Sequence, residues 1–67
     1  MIEVTANGET FTLDSPIALP KFLEERGQAP ERVLVERNGE ALTQSEARAA
    51  VLENGDVLEI VRIVAGG

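Results

Sequence analysis

The 67-residue chain contains no cysteine, histidine, tryptophan or tyrosine, and two phenylalanines are its only aromatic residues. Without cysteine it has neither disulfides nor thiol chemistry. Without histidine it lacks the residue used most often as a general base and metal ligand. The shortage of aromatic side chains also removes the usual stacking platform for nucleic-acid bases. We therefore expect no metal site, no bound cofactor and no catalytic centre, which argues against an enzyme.

Basic residues are scarce as well. Six lysines and arginines stand against twelve aspartates and glutamates, which gives a net charge of −6. Such a charge repels phosphate backbones and favours basic protein partners, so nucleic-acid binding is not expected. The longest uncharged stretch, Ser15 to Pro20, falls far short of the roughly 18 residues of a membrane helix. With no signal-like segment at the start, these features predict a cytoplasmic protein without a membrane partner.

The first part of the chain has the pattern of a β-hairpin. Ile2, Val4 and Ala6 alternate with polar residues, which is typical of a strand with one buried face. Asn7-Gly8 follows as a strong two-residue turn signal, because both residues tolerate positive φ. The hairpin should span about residues 1–13.

A short helix and a third strand should come next. Pro20 favours a helix start at or near its own position, and Gly27 is a natural helix stop. This helix would place Phe22 and Leu23 on the sheet. The apolar run from Arg32 to Arg37 then predicts a third strand.

The following segment carries a turn and a helix signal. Asn38-Gly39 predicts a tight turn into a brief strand, Glu40 to Leu42. Thr43 and Glu46 have the spacing of a capping box, which predicts a small second helix. We expect this helix to end at Asn54-Gly55.

The final strand, Asp56 to Val64, is apolar on both faces. Leu58 and Ile60 should lie on the core face, with Val57 beside them. Val61 and Ile63 should lie on the opposite face with Glu59. The chain has too few helices to cover both faces, so this pattern predicts an exposed apolar strip, a typical contact site. Together these elements indicate one α+β domain over residues 1–64.

The last three residues, 65–67, are predicted to form a flexible Gly-Gly tail. Glycine has no Cβ, so Gly66 and Gly67 can extend through a channel too narrow for other residues. The terminal carboxylate is sterically open and ionised at neutral pH. It is the best candidate for a reactive group in this chain.

The whole chain resembles the small bacterial sulfur carriers of the ThiS/MoaD family, and most closely the ThiS-like carriers of thiamine biosynthesis. The most specific part of the resemblance is Asn54-Gly55-Asp56-Val57-Leu58-Glu59-Ile60, followed by Ile63-Val64-Ala65-Gly66-Gly67. Asn54 stands where family members commonly have an acidic residue. The resemblance implies a ubiquitin-like β-grasp fold: a mixed five-stranded sheet of order 2-1-5-3-4, with one main helix packed on one face and a short second helix.

The resemblance also implies chemistry that other proteins perform on the tail. A ThiF-like adenylating enzyme would use ATP and magnesium to activate Gly67, and a sulfur donor such as a cysteine desulfurase would convert it to a thiocarboxylate. A ThiG-like thiazole synthase would then receive the sulfur. The implied tail residues are Val64, Ala65 and Gly66, and the implied partner-binding residues are Val61, Arg62 and Ile63.

Several other functions share these features. Carriers for molybdopterin synthesis or tRNA thiolation have the same fold, although molybdopterin-synthase subunits are generally longer. A ubiquitin-like protein modifier shares the activated-carboxylate step. A β-grasp interaction module without tail chemistry would not need Gly66 and Gly67.

Overall fold

The computed structural model describes residues 1–63, so the predicted boundary between a domain of residues 1–64 and a tail of residues 65–67 lies outside it. Within this range no helix is long and apolar enough to cross a membrane. The elements follow one another as β1 (Ile2–Ala6), β2 (Glu9–Leu13), β3 (Ile17–Ala18), α1 (Leu19–Glu25), β4 (Val33–Arg37), β5 (Glu40–Ala41), α2 (Gln44–Ala49), β6 (Val51–Leu52) and β7 (Val57–Arg62).

Five strands form one mixed sheet of order β2-β1-β7-β4-β5. β1 is antiparallel to β2 and parallel to β7, and β4 is antiparallel to both β7 and β5. This is the predicted order 2-1-5-3-4, renumbered because the structure has two further strands, β3 and β6. The α+β β-grasp arrangement is therefore confirmed, and the last strand of the chain lies at the centre of the sheet.

Local sequence signals account for the turns and for the start of α2. Asn7 and Asn38 have φ values of 50° and 53°, which asparagine tolerates better than most residues, and the glycine after each is also left-handed. At α2 the predicted capping box is present. The Glu46 N–H donates to Thr43 Oγ1 at 3.0 Å, and the Thr43 N–H donates to Glu46 Oε1 at 2.8 Å.

The hydrophobic core lies between the sheet and α1. Phe22 and Leu23 are buried, as predicted, and pack with apolar residues of β1, β4 and β7. The Phe22 ring meets Phe11 edge to face at a centroid distance of 5.6 Å. The Arg26 guanidinium lies 4.0 Å from the Phe22 centroid and 4.3 Å from that of Phe11, so it makes a cation–π contact with both rings. The opposite, outer face of the sheet is exposed.

The predicted extent of the second helix is wrong. The helix ends at Ala49 rather than at Asn54-Gly55, and Ala50 is extended, with φ −74° and ψ 140°. β6 then pairs antiparallel with β3, which matches Leu52 to Ile17, and Leu52 becomes fully buried. Burial of one large side chain contributes about 1.5–3 kcal/mol, which outweighs the helix propensity of the few residues involved.

Three predicted strand bounds also differ from the structure. The brief strand β5 ends at Ala41 rather than Leu42. The third strand begins at Val33 rather than Arg32, because Pro30–Arg32 form one turn of 3-10 helix. The last strand begins at Val57, after Asp56, and the structure assigns it as far as Arg62. Val64, the predicted strand end, lies outside the described residues.

Candidate functional site

The route to the carboxyl terminus is set by β7. This strand hydrogen-bonds to β1 on one side and β4 on the other, and its Leu58 is fully buried. The ladder with β4 continues one residue past the strand, because the Ile63 N–H donates to the Arg32 carbonyl at 2.8 Å. The chain beyond Ile63 therefore starts from an anchored position at the end of the sheet.

Two asparagine side chains hold β7 in addition to its strand neighbours. β1 ends at Ala6, and the Asn7 amide takes the place of the next strand residue: its Oδ1 accepts from the Ile60 N–H at 2.7 Å, and its Nδ2 donates to the Ile60 carbonyl at 3.1 Å. On the other side, Asn38 Oδ1 accepts from the Val57 N–H at 2.9 Å. The Asn-Gly turns thus both reverse the chain and extend the pairing of β7.

Replacing Asn7 with glycine should destabilise the protein by about 1–2 kcal/mol, because both side-chain hydrogen bonds to Ile60 are lost while the left-handed backbone remains allowed. Asn7→Ala should destabilise it further, since alanine disfavours positive φ. Chemical denaturation followed by circular dichroism measures the stability, and hydrogen exchange of the Ile60 amide should accelerate. Ser15→Ala, at an exposed bend, is the matched control. Unchanged Ile60 exchange in Asn7→Gly would contradict this role.

The buried carboxylate of Asp56 holds the residue that immediately precedes β7 in place. Asp56 Oδ2 accepts from Arg37 Nη2 at 2.7 Å, from Arg37 Nε at 3.1 Å and from the Glu53 N–H at 2.8 Å, while its Oδ1 accepts from Asn38 Nδ2 at 3.1 Å. Burial alone would raise the pKa of Asp56, but these hydrogen bonds and the charge of Arg37 outweigh it and lower the pKa below 3.8. Asp56 is therefore held ionised and acts as a structural group.

The outer face of β7 carries the predicted apolar strip. Val61 is 59% exposed, and its partner across the β4–β7 ladder is Leu34, which is 54% exposed. Val57 is 48% exposed and lies on this outer face, so its predicted place beside Leu58 and Ile60 is wrong. Side chains of β7 alternate between the two faces from its first residue, Val57. The prediction broke this alternation by placing Val57 on the same face as its neighbour Leu58.

Leu34 was missed by the sequence analysis, although a signal was present. Val33, Leu34 and Val35 form an unbroken apolar run, the same two-faced pattern that singled out β7. The two strands pair directly, and together they make the exposed patch.

The remaining predicted site residues divide into two groups. Ile63 and Arg62 are exposed, and Ile63 lies one residue beyond β7. Arg62 pairs with the buried Val33 in the ladder, so its side chain starts from the core face rather than the outer face, and neither ion pair within residues 1–63 includes it. Val64, Ala65, Gly66 and Gly67 lie outside the described residues. The roles given to all six residues remain predictions.

A family comparison covers almost the entire chain. Residues 2–67 match the sequence model of the ThiS family. The chain belongs to the ThiS family. The match includes the central β7 and the terminal glycines, and it confirms the resemblance noted in the sequence.

Solved structures agree with this ThiS assignment. A crystal structure of the thiamine biosynthesis protein ThiS from Geobacter metallireducens superposes with a TM-score of 0.80 at 30% identity, covering 98% of this chain and 100% of that one. A solution structure of a thiamine biosynthesis protein from the same organism gives a TM-score of 0.75 at 30% identity, covering 98% of this chain and 88% of that one.

Two sequence relatives of this ThiS-family chain have different lengths. A protein from Magnetococcus marinus named thiazole synthase is 33% identical over 66 residues, which are 98% of this chain. The chain spans only 20% of that relative's length. An uncharacterized protein, ycf40, from Pyropia yezoensis is 36% identical over 66 residues, which cover 98% of this chain and 93% of that protein.

Proposed function

We propose that this ThiS-family chain is a sulfur carrier whose terminal glycine, Gly67, is adenylated, converted to a thiocarboxylate and used as the sulfur source for thiazole formation in thiamine biosynthesis. The observation that carries the proposal is the family match over residues 2–67, which includes Gly66 and Gly67. The chain is then a co-substrate of partner enzymes rather than a catalyst, which fits its lack of cysteine and histidine.

The proposed chemistry needs only the terminal carboxylate from this chain. A carboxylate is a poor electrophile, so one Gly67 oxygen first attacks the α-phosphorus of ATP on a ThiF-like enzyme, with magnesium bound there, and pyrophosphate leaves. Hydrosulfide then attacks the activated carbonyl carbon and displaces AMP, which leaves a thiocarboxylate. In cells a cysteine desulfurase persulfide, opened by a thiol, would supply the hydrosulfide.

The folded body would present the tail to these partners. β7 is anchored as far as Ile63 by its neighbours and by Asn7, so the tail would begin at a defined point. Val64 and Ala65 would form the stem of the tail, and Gly66 would let it pass a narrow channel. Val61 and Ile63 would supply apolar docking area, and Arg62 would pair with an acidic residue of the partner.

Thiazole synthase is the proposed acceptor of the sulfur. The Magnetococcus marinus relative of that name contains a segment that matches nearly all of this chain. The Geobacter metallireducens structures bear the name of thiamine biosynthesis. Both comparisons favour this acceptor over molybdopterin synthesis or tRNA thiolation.

Intact-mass measurement tests the proposal directly. The protein is mixed with a ThiF-like enzyme, ATP, magnesium and sodium sulfide, and the product should show one oxygen replaced by one sulfur. Omission of ATP is the control and should leave the mass unchanged. A subsequent incubation with thiazole synthase and its substrates should restore the carboxylate. If no thiocarboxylate forms while a known carrier reacts under the same conditions, the proposed function is wrong.

A further inference from the structure

Two glutamates face each other at the centre of the outer sheet surface. Glu36 of β4 and Glu59 of β7 are direct partners in the antiparallel ladder, and both are exposed. Directly opposed residues have Cβ atoms about 4.5–5.5 Å apart, so two like charges at these positions repel each other and destabilise the sheet. The fold therefore tolerates an unfavourable arrangement at this site.

Neither glutamate forms an ion pair with a cation within residues 1–63. All lysines and arginines lie within residues 1–63, and the ion pairs there join Arg37 to Asp56 and Arg26 to Glu25. The ladder registers place no basic residue on the outer face of β1, β2, β4 or β7; this face carries Glu3, Thr5, Thr10, Thr12, Leu34, Glu36, Val57, Glu59 and Val61. The glutamate pair is therefore open to a cation from another molecule.

Apolar residues border the glutamate pair. Leu34 and Val61 form the outer-face pair two residues further along the ladder, and Val57 precedes Glu59 by two residues on the same face. All three are about half exposed. In protein interfaces a few residues, arginine among them, supply most of the binding free energy. Neighbouring contacts exclude water from them, and Leu34, Val57 and Val61 could do so here.

We propose that Glu36 and Glu59 together bind one arginine side chain of the partner protein, whose apolar residues cover Leu34 and Val61. A guanidinium is planar, keeps its charge at all relevant pH values and presents several N–H groups in a rigid fork, so it can bridge two adjacent carboxylates. The repulsion between the carboxylates is already present in the free protein, and a shared cation relieves it on binding. This proposal rests on the proposed function for the identity of the partner, the adenylating enzyme.

Single and double substitutions test the pair. Glu36→Gln and Glu59→Gln should each weaken binding to the adenylating enzyme by about 10- to 100-fold, measured by calorimetry at low salt. The double variant should lose less than the product of the two single losses, because both carboxylates bind the same cation. Glu24→Gln, an exposed acid on α1, is the control and should bind like the native protein.

The free variants supply a second readout. Each single substitution should raise the Tm by about 1–5 °C, since the like-charge contact is removed. The proposal thus predicts that each variant is more stable than the native protein but binds the adenylating enzyme more weakly. A lower Tm, or affinity equal to that of the native protein, would overturn the proposal.

The two proposals fail in distinguishable ways. At saturating adenylating enzyme the variants should still form the thiocarboxylate at close to the native maximal rate. Normal thiocarboxylate formation combined with native affinity in all variants overturns the glutamate-pair proposal alone. Weakened binding in the variants, together with no thiocarboxylate from the native protein, overturns the sulfur-carrier function alone.

Discussion

Replacing Asp56 with alanine should destabilise the protein by about 3 kcal/mol, which is a large part of its total stability. The substitution removes four hydrogen-bond contacts. It leaves the Glu53 N–H and the Asn38 amide without this acceptor, and it leaves Arg37 with only the Val51 carbonyl. Breaking a buried ion pair by removing one partner costs about 3–5 kcal/mol, and the 25% exposure of the Arg37 side chain favours the lower value. A domain of this size has a total stability of only about 3–10 kcal/mol.

Far-UV circular dichroism and urea denaturation measure this loss, since the chain has no tryptophan or tyrosine to report by fluorescence. Asp14→Ala, at the other, exposed aspartate, should change the stability by less than about 0.5 kcal/mol. Native-like stability of Asp56→Ala would contradict the structural role of this carboxylate.

The same substitution predicts a pH dependence. The pKa of Asp56 is lower in the folded than in the unfolded protein, so its contribution is complete well above pH 3.8 and is lost as the pH falls through the folded-state pKa. The stability difference between native protein and Asp56→Asn should therefore be constant from about pH 5 to 7 and shrink below about pH 4. A difference that grows on acidification would contradict the direction of this shift.

Deleting Gly67 should abolish thiocarboxylate formation if the proposed function is correct. The new terminus would be one residue short, so the carboxylate would no longer reach the position where ATP is attacked. Misplacement of a reacting group by about 1 Å can cost about 100-fold in rate, and one extended residue spans about 3.3 Å. Intact-mass analysis with the adenylating enzyme, ATP, magnesium and sulfide measures the product.

The folded body provides the control for this deletion. The described core and the β7 ladder are formed by residues no later than Arg62, so the Tm of the shortened protein should match that of the native protein. If the shortened protein reacts as fast as the native one, activation at Gly67 is wrong.

Short-range signals predicted most of the fold. Asn7 and Asn38 mark both turns because few residues accept left-handed φ, and Thr43 with Glu46 marks the start of α2 because the capping box is local. The resemblance of the final segment to known carriers supplied the strand order. Element bounds were less accurate where a tertiary contact decided them.

Apart from Leu34 and the face of Val57, the missed features depend on residues far apart in the chain. Two-residue strands such as β3 and β6 have no period to detect, and they exist because Leu52 is buried against Ile17. The contacts of Asp56 with Arg37 and the pairing of Glu36 with Glu59 appear only once β4 and β7 are aligned. A charged residue in a strand pattern is ordinarily read as solvated, so neither relationship can be recognised from local sequence.

The central place of β7 has a mechanical consequence. A force applied beyond Ile63 along the direction of β7 acts perpendicular to its hydrogen bonds with β1, with β4 and with the Asn7 amide. These bonds therefore resist the force in shear, and they must break together rather than in sequence. An edge strand pulled sideways would instead lose its bonds one by one. Under the proposed function, an enzyme that draws the terminus into its active site would therefore exert traction on it while the body keeps its shape.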